Sequence, residues 1–166
     1  MIPTRRRVRP LVAVVAAGVV GAGIVVGALF VQGPDRQQIV AERGAVVMPF
    51  DLDATTHRFV STVDGGVQTV VADNPSDAEQ VQLVQSHLQG EAEAFARGDF
   101  GDPERIHGTE MPGLAVLRNS AGLLAVEYQA RGAGAELTFT SADPAVVAAL
   151  HDWFAAQTSD HGSHAE

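Results

Sequence analysis

The sequence predicts an α+β domain that follows a single membrane-spanning helix. An apolar run at residues 11–31 follows an arginine-rich N-terminus. Farther along the chain, two pairs of short segments alternate apolar and polar residues around glycine-containing turns, a pattern typical of β-hairpins. Two other segments carry apolar residues at helical spacing. The order hairpin, helix, hairpin, helix indicates a four-stranded antiparallel sheet with two helices packed on one face.

The N-terminal region has the features of a retained membrane anchor. Residues 11–31 carry no charge and no side-chain hydroxyl, and about 20 such residues cross the hydrocarbon core of a bilayer. The stub at residues 1–10 is rich in arginine, which places it in the cytoplasm and the later residues outside. A cleaved signal peptide is the competing interpretation, but its apolar region usually has only about 7–15 residues. We therefore expect a single-pass protein of the cell membrane with its C-terminal domain outside the cytoplasm.

Gly23 and Gly27 form a G-x-x-x-G pattern within the predicted span. Such spacing lets two membrane helices approach closely and would support a homodimer. The span is rich in glycine and alanine throughout, so chance spacing is the simpler explanation. The homodimer stays open as an alternative.

The charge distribution excludes nucleic acid as a partner. All twenty Asp and Glu residues follow the span, together with seven of the eleven arginines, so this part of the chain has a net charge of −13. Such a domain repels phosphate backbones and attracts cations or basic protein partners. The chain has no cysteine, which excludes disulfides, thiolate metal ligands and a cysteine nucleophile.

The first half of the outer region predicts one hairpin and one helix. Residues 32–55 are interpreted as a tether and entry segment. Strands are expected at Thr56–Val63 and Val67–Ala72, joined at Asp64-Gly65-Gly66. A helix should begin after Ser76 and end at Gly98. Its apolar stripe has a helical repeat and consists of Val81, Val84, Leu88, Ala92 and Phe95.

The second half repeats this order. A short helical turn is expected at Gly113–Leu117, followed by strands at Leu123–Gln129 and Ala135–Thr140. The last helix should begin at Pro144, a residue favoured in the first helical turn. We take residues 56–157 as the folded domain and residues 158–166 as a flexible tail.

Histidines are the best candidates for chemistry, because imidazole is the commonest metal ligand in proteins. His57 alternates in phase with Phe59 and should face the helices. His107 lies in the stretch I-H-G-T-E-M-P-G (106–113), where Glu110 and Met111 add an oxygen and a sulfur donor. With His151 from the last helix, these residues form the predicted metal site, which suits Zn or Cu. The open alternative is that each histidine merely caps the edge of the core.

Two other groups of potential ligands receive less weight. The tail D-H-G-S-H, Asp160 to His164, holds a carboxylate and two imidazoles, although chain ends are usually solvated. Glu91 and Glu93 are two residues apart on the first predicted helix and therefore point to different faces. No P-loop, G-x-S-x-G or H-E-x-x-H motif occurs, so no catalytic residue and no organic cofactor is predicted.

Several short strings carry a resemblance to a known group of proteins. They are M-P-F-D-L (48–52), T-T-H (55–57), G-D-F-G-D-P (98–103), I-H-G (106–108), M-P-G-L (111–114) and the closing D-H-G. The chain resembles small membrane-anchored bacterial envelope proteins of unknown function, some of which are labelled aspartate carbamoyltransferase. The enzyme's motifs S-T-R-T and H-P-x-Q are absent, and an acidic domain disfavours a phosphate dianion. The resemblance therefore implies an envelope location without that activity.

The sequence thus favours a membrane-anchored envelope domain that binds a metal ion through histidines. A structural or protein-interaction module without a metal is the alternative. An enzyme of unrecognised type is the third interpretation.

Overall fold

The computed structural model describes residues 35–165 as an α+β fold built on one antiparallel sheet. The sheet has four strands in the order β1-β2-β4-β3, and every neighbouring pair is antiparallel. The predicted four-stranded antiparallel sheet is confirmed. The strands are β1 (Thr55–Thr62), β2 (Gly65–Ala72), β3 (Ala125–Arg131) and β4 (Gly134–Thr140).

Two tight hairpins are joined in the middle of the sheet by the β2–β4 pair. Glycine is required where these central strands approach, because a Cβ atom on Gly65 would collide with the carbonyl oxygen of Phe139. A Cβ atom on Gly134 would likewise meet the carbonyl oxygen of Val70. The glycines that indicate turns in the sequence therefore also permit the central strand pair.

Two long helices cover one face of the sheet. They are α2 (Ala78–Ala96) and α5 (Pro144–His161). Both contact the Phe139 ring on β4, with centroid separations of 6.0 Å to Phe95 of α2 and 5.6 Å to Phe154 of α5. Side-chain caps define their N-termini, since the Asp77 and Asp143 carboxylates accept backbone N–H bonds. This helix pair and the inner face of the sheet enclose the apolar core.

Three shorter helices complete the described part of the chain: α1 (Arg36–Val47), α3 (Gly101–His107) and α4 (Leu114–Arg118). The expected turn at 113–117 corresponds to α4. The sequence predicts a tether at residues 32–55, but α1 occupies half of this segment and packs on α3 and α5. Its pattern is hard to recognise because only Val40 and Gly44 are buried.

The C-terminal residues are also part of the folded domain. Helix α5 continues to His161, a 3₁₀ turn spans Gly162–His164, and Ala165 forms a parallel bridge with His57 on β1. The tail predicted as flexible therefore packs against the first strand. Within residues 35–165, no helix combines the length and apolar character needed to cross a membrane. The predicted stub and span, 1–31, lie outside the described residues.

Candidate functional site

A cavity of about 40 Å³ lies between the helices and the inner face of the sheet. Apolar residues such as Leu88 and Phe95 form much of its wall. Its polar lining is unusual for an internal space because it includes Glu91 and four of the six histidines of the chain. These histidines are His57, His87, His107 and His161.

His57 is buried, with 5% of its surface exposed. It faces inward on β1, as the alternation with Phe59 predicts, and its ring stacks on that of His161 at a centroid distance of 5.1 Å. Burial, followed by the nearby histidines, lowers the pKa of His57 to about 3, so the imidazole is neutral. Its Nε2 atom is buried and has no hydrogen-bond partner.

His107 belongs to a buried network that includes one carboxylate. Its Nδ1–H donates to Asp160 Oδ2 at 2.8 Å. Arg36 donates two hydrogen bonds to the same carboxylate, with its Nε 2.5 Å from Oδ1 and its Nη2 2.6 Å from Oδ2. Burial alone would raise the pKa of Asp160, but hydrogen bonds from Arg36 and His107 hold it below its usual value. Burial lowers the pKa of His107 despite the carboxylate.

His161 joins His57 to this network. Its ring meets the His107 ring edge-on at 5.2 Å, and its Nε2 lies 3.1 Å from Gln157 Oε1. Burial, followed by the charge of His107, lowers the pKa of His161 to about 4. We call His57, His107, His161 and Asp160 the histidine cluster. Its imidazoles are neutral, and Arg36 compensates its single negative charge.

A second group, the carboxyl cluster, consists of His87, Glu91 and Asp102. His87 and Glu91 lie one turn apart on α2 and so share a face, while Asp102 comes from the first turn of α3. One ligand atom from each residue lies within 4.8 Å of the other two, and all three residues are partly buried. Among the described residues, this is the group of histidine and carboxylate side chains compact enough to surround one cation.

The Glu91 carboxyl group of this cluster is held in its protonated form. Burial, followed by the charge of Asp102 and a hydrogen bond with it, raises the pKa of Glu91 to about 8. Glu91 therefore keeps its proton at neutral pH and donates it to the Asp102 carboxylate. Arg105 also pairs with Asp102. Burial lowers the pKa of His87, and the charge of Asp102 only partly opposes this.

The structure separates His151 from the other two predicted histidine ligands. Its Nε2–H donates to the carbonyl oxygens of Thr62 at 3.0 Å and Gly65 at 2.9 Å, and so it caps the β1–β2 turn. It borders a different surface pocket, beside Val63 and Asp64. The expected convergence of His57, His107 and His151 is therefore replaced by the contact of His57 and His107 with His161.

The remaining predicted ligands also lie apart. Met111 is 4% exposed and packs in the apolar core. Glu110 is exposed and borders a surface groove that it shares with Arg36, His107 and Asp160. The side chains of Met111 and Glu110 therefore do not lie together. Whether either residue binds a metal stays a prediction.

Sequence reasoning missed the carboxyl cluster for an identifiable reason. Glu91 was compared with Glu93, which is exposed on another face of α2, whereas its partner Asp102 comes from α3. The spacing of His87 and Glu91, four residues apart on a helix, is the signal that was present. Comparison of the chain with protein-family profiles, curated proteins and solved structures gives no match. The resemblance to envelope proteins stays a prediction.

Proposed function

We propose that this chain is a membrane-anchored envelope protein whose outer domain binds a divalent transition-metal ion at His87, Glu91 and Asp102. The observation that carries this proposal is the mutual approach of the three donor atoms to within 4.8 Å. The apolar run at residues 11–31, predicted to be a single span, supports the membrane location, and the arginines before it support an extracytoplasmic domain.

The donor set suits zinc and its neighbours in the first transition row. One imidazole nitrogen and two carboxylate oxygens resemble the mixed ligand sets of open zinc sites, with ligand distances of about 2.0–2.2 Å. Copper would bind more tightly than zinc to the same atoms, following the general order of affinity. Binding would draw the donor atoms closer together and displace the proton that Glu91 shares with Asp102. The net charge of −13 beyond the span also favours cations.

Metal titration of the full chain in detergent tests this proposal. The protein carries no histidine tag, and competition with a chelator measures its Zn²⁺ affinity. We expect His87→Ala and Glu91→Gln each to weaken binding by about tenfold or more, as loss of one ligand contact does. His151→Ala and Glu93→Gln are matched controls that should retain the affinity. Equal affinity in all five proteins would contradict the proposed site.

Labelling tests the proposed topology separately. The natural chain has no cysteine. Gln89 lies exposed on α2, so Gln89→Cys introduces a single accessible thiol. A membrane-impermeant maleimide should label this variant in intact cells. Labelling only after lysis would contradict an extracytoplasmic domain, without bearing on metal binding.

A protein-interaction module is the second candidate function. The face of the sheet opposite the two long helices carries Val60, which is 47% exposed, and Val60 pairs with Val67 on β2. An apolar pair on the uncovered face favours a protein partner. Under this alternative, Val60→Glu would abolish partner binding in a cellular crosslinking assay, whereas His87→Ala would leave it unchanged.

A further inference from the structure

Three buried polar atoms at the cavity have no hydrogen-bond partner in the protein. They are His57 Nε2, Gln68 Oε1 and Trp153 Nε1, and all three residues line the same cavity. Burying a polar atom without a partner is unfavourable, and folded proteins usually satisfy such atoms with ordered water. Their coincidence around one space indicates a polar occupant.

The size and chemistry of the cavity identify this occupant as water. A volume of about 40 Å³ holds about three water molecules. The Trp153 N–H can only donate, and the Gln68 carbonyl oxygen can only accept. The neutral His57 ring can do either at Nε2, depending on its tautomer. The occupant must therefore both donate and accept hydrogen bonds. None of the three residues is charged, so a neutral molecule satisfies them.

The cavity also reaches two of the three proposed metal ligands, His87 and Glu91. Three protein ligands leave the fourth position of a tetrahedral site unfilled. The three residues with unpartnered atoms and two of the proposed metal ligands therefore line the same small space.

We infer that the metal ion keeps an exchangeable water ligand, which lies in the cavity and belongs to the water cluster held by His57, Gln68 and Trp153. This inference rests on the proposed metal site and makes that site open to small ligands. A structural zinc site is closed by four protein ligands, whereas an open one admits water or a small monodentate ligand. The ligand class is thus water-sized molecules and anions such as azide.

Cobalt substitution tests the inference directly. The full-length, untagged protein is loaded with Co²⁺ in detergent, and its visible spectrum is followed while azide is added. We expect a saturable spectral shift as azide replaces water. His57→Phe should keep the Co²⁺ affinity but weaken azide binding by about tenfold, the effect of one lost hydrogen bond. His151→Phe is the matched control and should leave both affinities unchanged.

The possible failures are distinguishable. A Co²⁺ spectrum that does not respond to azide would overturn the open position and leave the metal site intact. An azide response that His57→Phe does not weaken would also overturn the inference, because the water would lie elsewhere. Absence of Co²⁺ binding would overturn the metal site and the inference together.

A substitution studied in the metal-free protein tests the water cluster independently. Gln68→Met replaces the unpartnered amide with an apolar chain of similar length. If water satisfies the Gln68 oxygen, the substitution removes a hydrogen bond, and we expect the thermal midpoint to fall. A raised midpoint would show that the cavity is dry and would overturn the inference.

Discussion

The histidine cluster and the carboxyl cluster border the same cavity but differ in how their negative charge is compensated. In the histidine cluster, Asp160 is held by Arg36 and His107, and burial keeps the three imidazoles neutral. In the carboxyl cluster, Glu91 and Asp102 lie together, and Arg105, which pairs with Asp102, is largely exposed. The group with more histidines is therefore already compensated, while the group with one histidine still attracts a cation.

This difference shows that the number of imidazoles does not locate a cation site. A ring nitrogen whose hydrogen is donated to a protein partner, as His107 Nδ1 donates to Asp160, has no lone pair available for a metal. Two adjacent carboxyl groups must share a proton or bind a cation, because two close negative charges destabilise each other.

Acid should destabilise the domain through the histidine cluster. The folded-state pKa values of His57 and His161 are about 3 and about 4, below the usual value of about 6.5. Between these values the two histidines bind more protons in the unfolded chain, so their contribution to the free energy of unfolding falls as the pH decreases from about 6.5 to about 4. We expect a loss on the order of 4 kcal/mol, measured by fluorescence of the single tryptophan during urea unfolding.

The control for this acid effect is His161→Phe, which retains a ring against His57 but removes one titration. We expect a shallower decrease in stability between pH 6.5 and pH 4. An unchanged pH dependence would show that acid acts through other groups.

Removal of the shared carboxylate should expose how the histidine cluster is compensated. Asp160→Ala leaves the buried His107 N–H without an acceptor and Arg36 without its ion pair. The expected loss of unfolding free energy is about 3 kcal/mol, measured by urea unfolding at pH 7. Asp152→Ala, on the exposed face of the same helix, should change stability by less than about 0.5 kcal/mol.

Neutralising Glu91 should stabilise the metal-free domain. The folded-state pKa of Glu91 is about 8, so the folded domain binds more protons than the unfolded chain between pH 4.5 and pH 8. The contribution of Glu91 to stability therefore falls as the pH rises through this range. Glu91→Gln removes this penalty, and we expect a gain of about 2 kcal/mol at pH 8 with chelator present. At pH 4.5 the variant and the natural protein should have similar stability.

Zinc should narrow this difference in stability at pH 8, because it stabilises the natural protein more than a variant that binds it more weakly. Glu93→Gln should behave like the natural protein with and without zinc. A Glu91→Gln variant that is less stable than the natural protein in chelator would contradict the proposed competition for a proton.

Arg105 offers the smallest test, because its ion pair with Asp102 is exposed on the arginine side. Arg105→Gln removes a positive charge that competes with the metal ion for this carboxylate. An exposed ion pair contributes about 0.2–1 kcal/mol, so the Zn²⁺ affinity should rise by up to about fivefold. The increase should shrink in 0.5 M salt, and a decrease in affinity would contradict the position of the metal next to Asp102.

Much of the sheet was predictable because strand alternation and glycine turns are local signals. The β1–β2 hairpin and α2 lie within two residues of the ranges that their patterns predict. Helix α1 was missed because it buries little of its surface and so lacks a continuous apolar stripe. Helix α3 was missed because its seven residues are too few for a helical repeat to be recognised.

The candidate site was only partly predictable because it depends on contacts between distant segments. The inward position of His57 follows from strand alternation. The position of His161 depends on packing of the C-terminal residues against β1, which no spacing indicates. Asp102 meets Glu91 only because α3 folds back beside α2.

The ends of the described chain lie together. Arg36 pairs with Asp160, the Gln37 amide donates to the Ser159 carbonyl at 3.0 Å, and Ala165 bridges to His57. Tension applied at residue 35 would therefore act first on the Arg36 ion pair and next on the histidine cluster. The hairpins of the sheet lie farther along the chain. The force would reach the sheet only after α1 had detached from the domain. Mechanical pulling should thus disturb the chemistry of the cavity before it unfolds the domain.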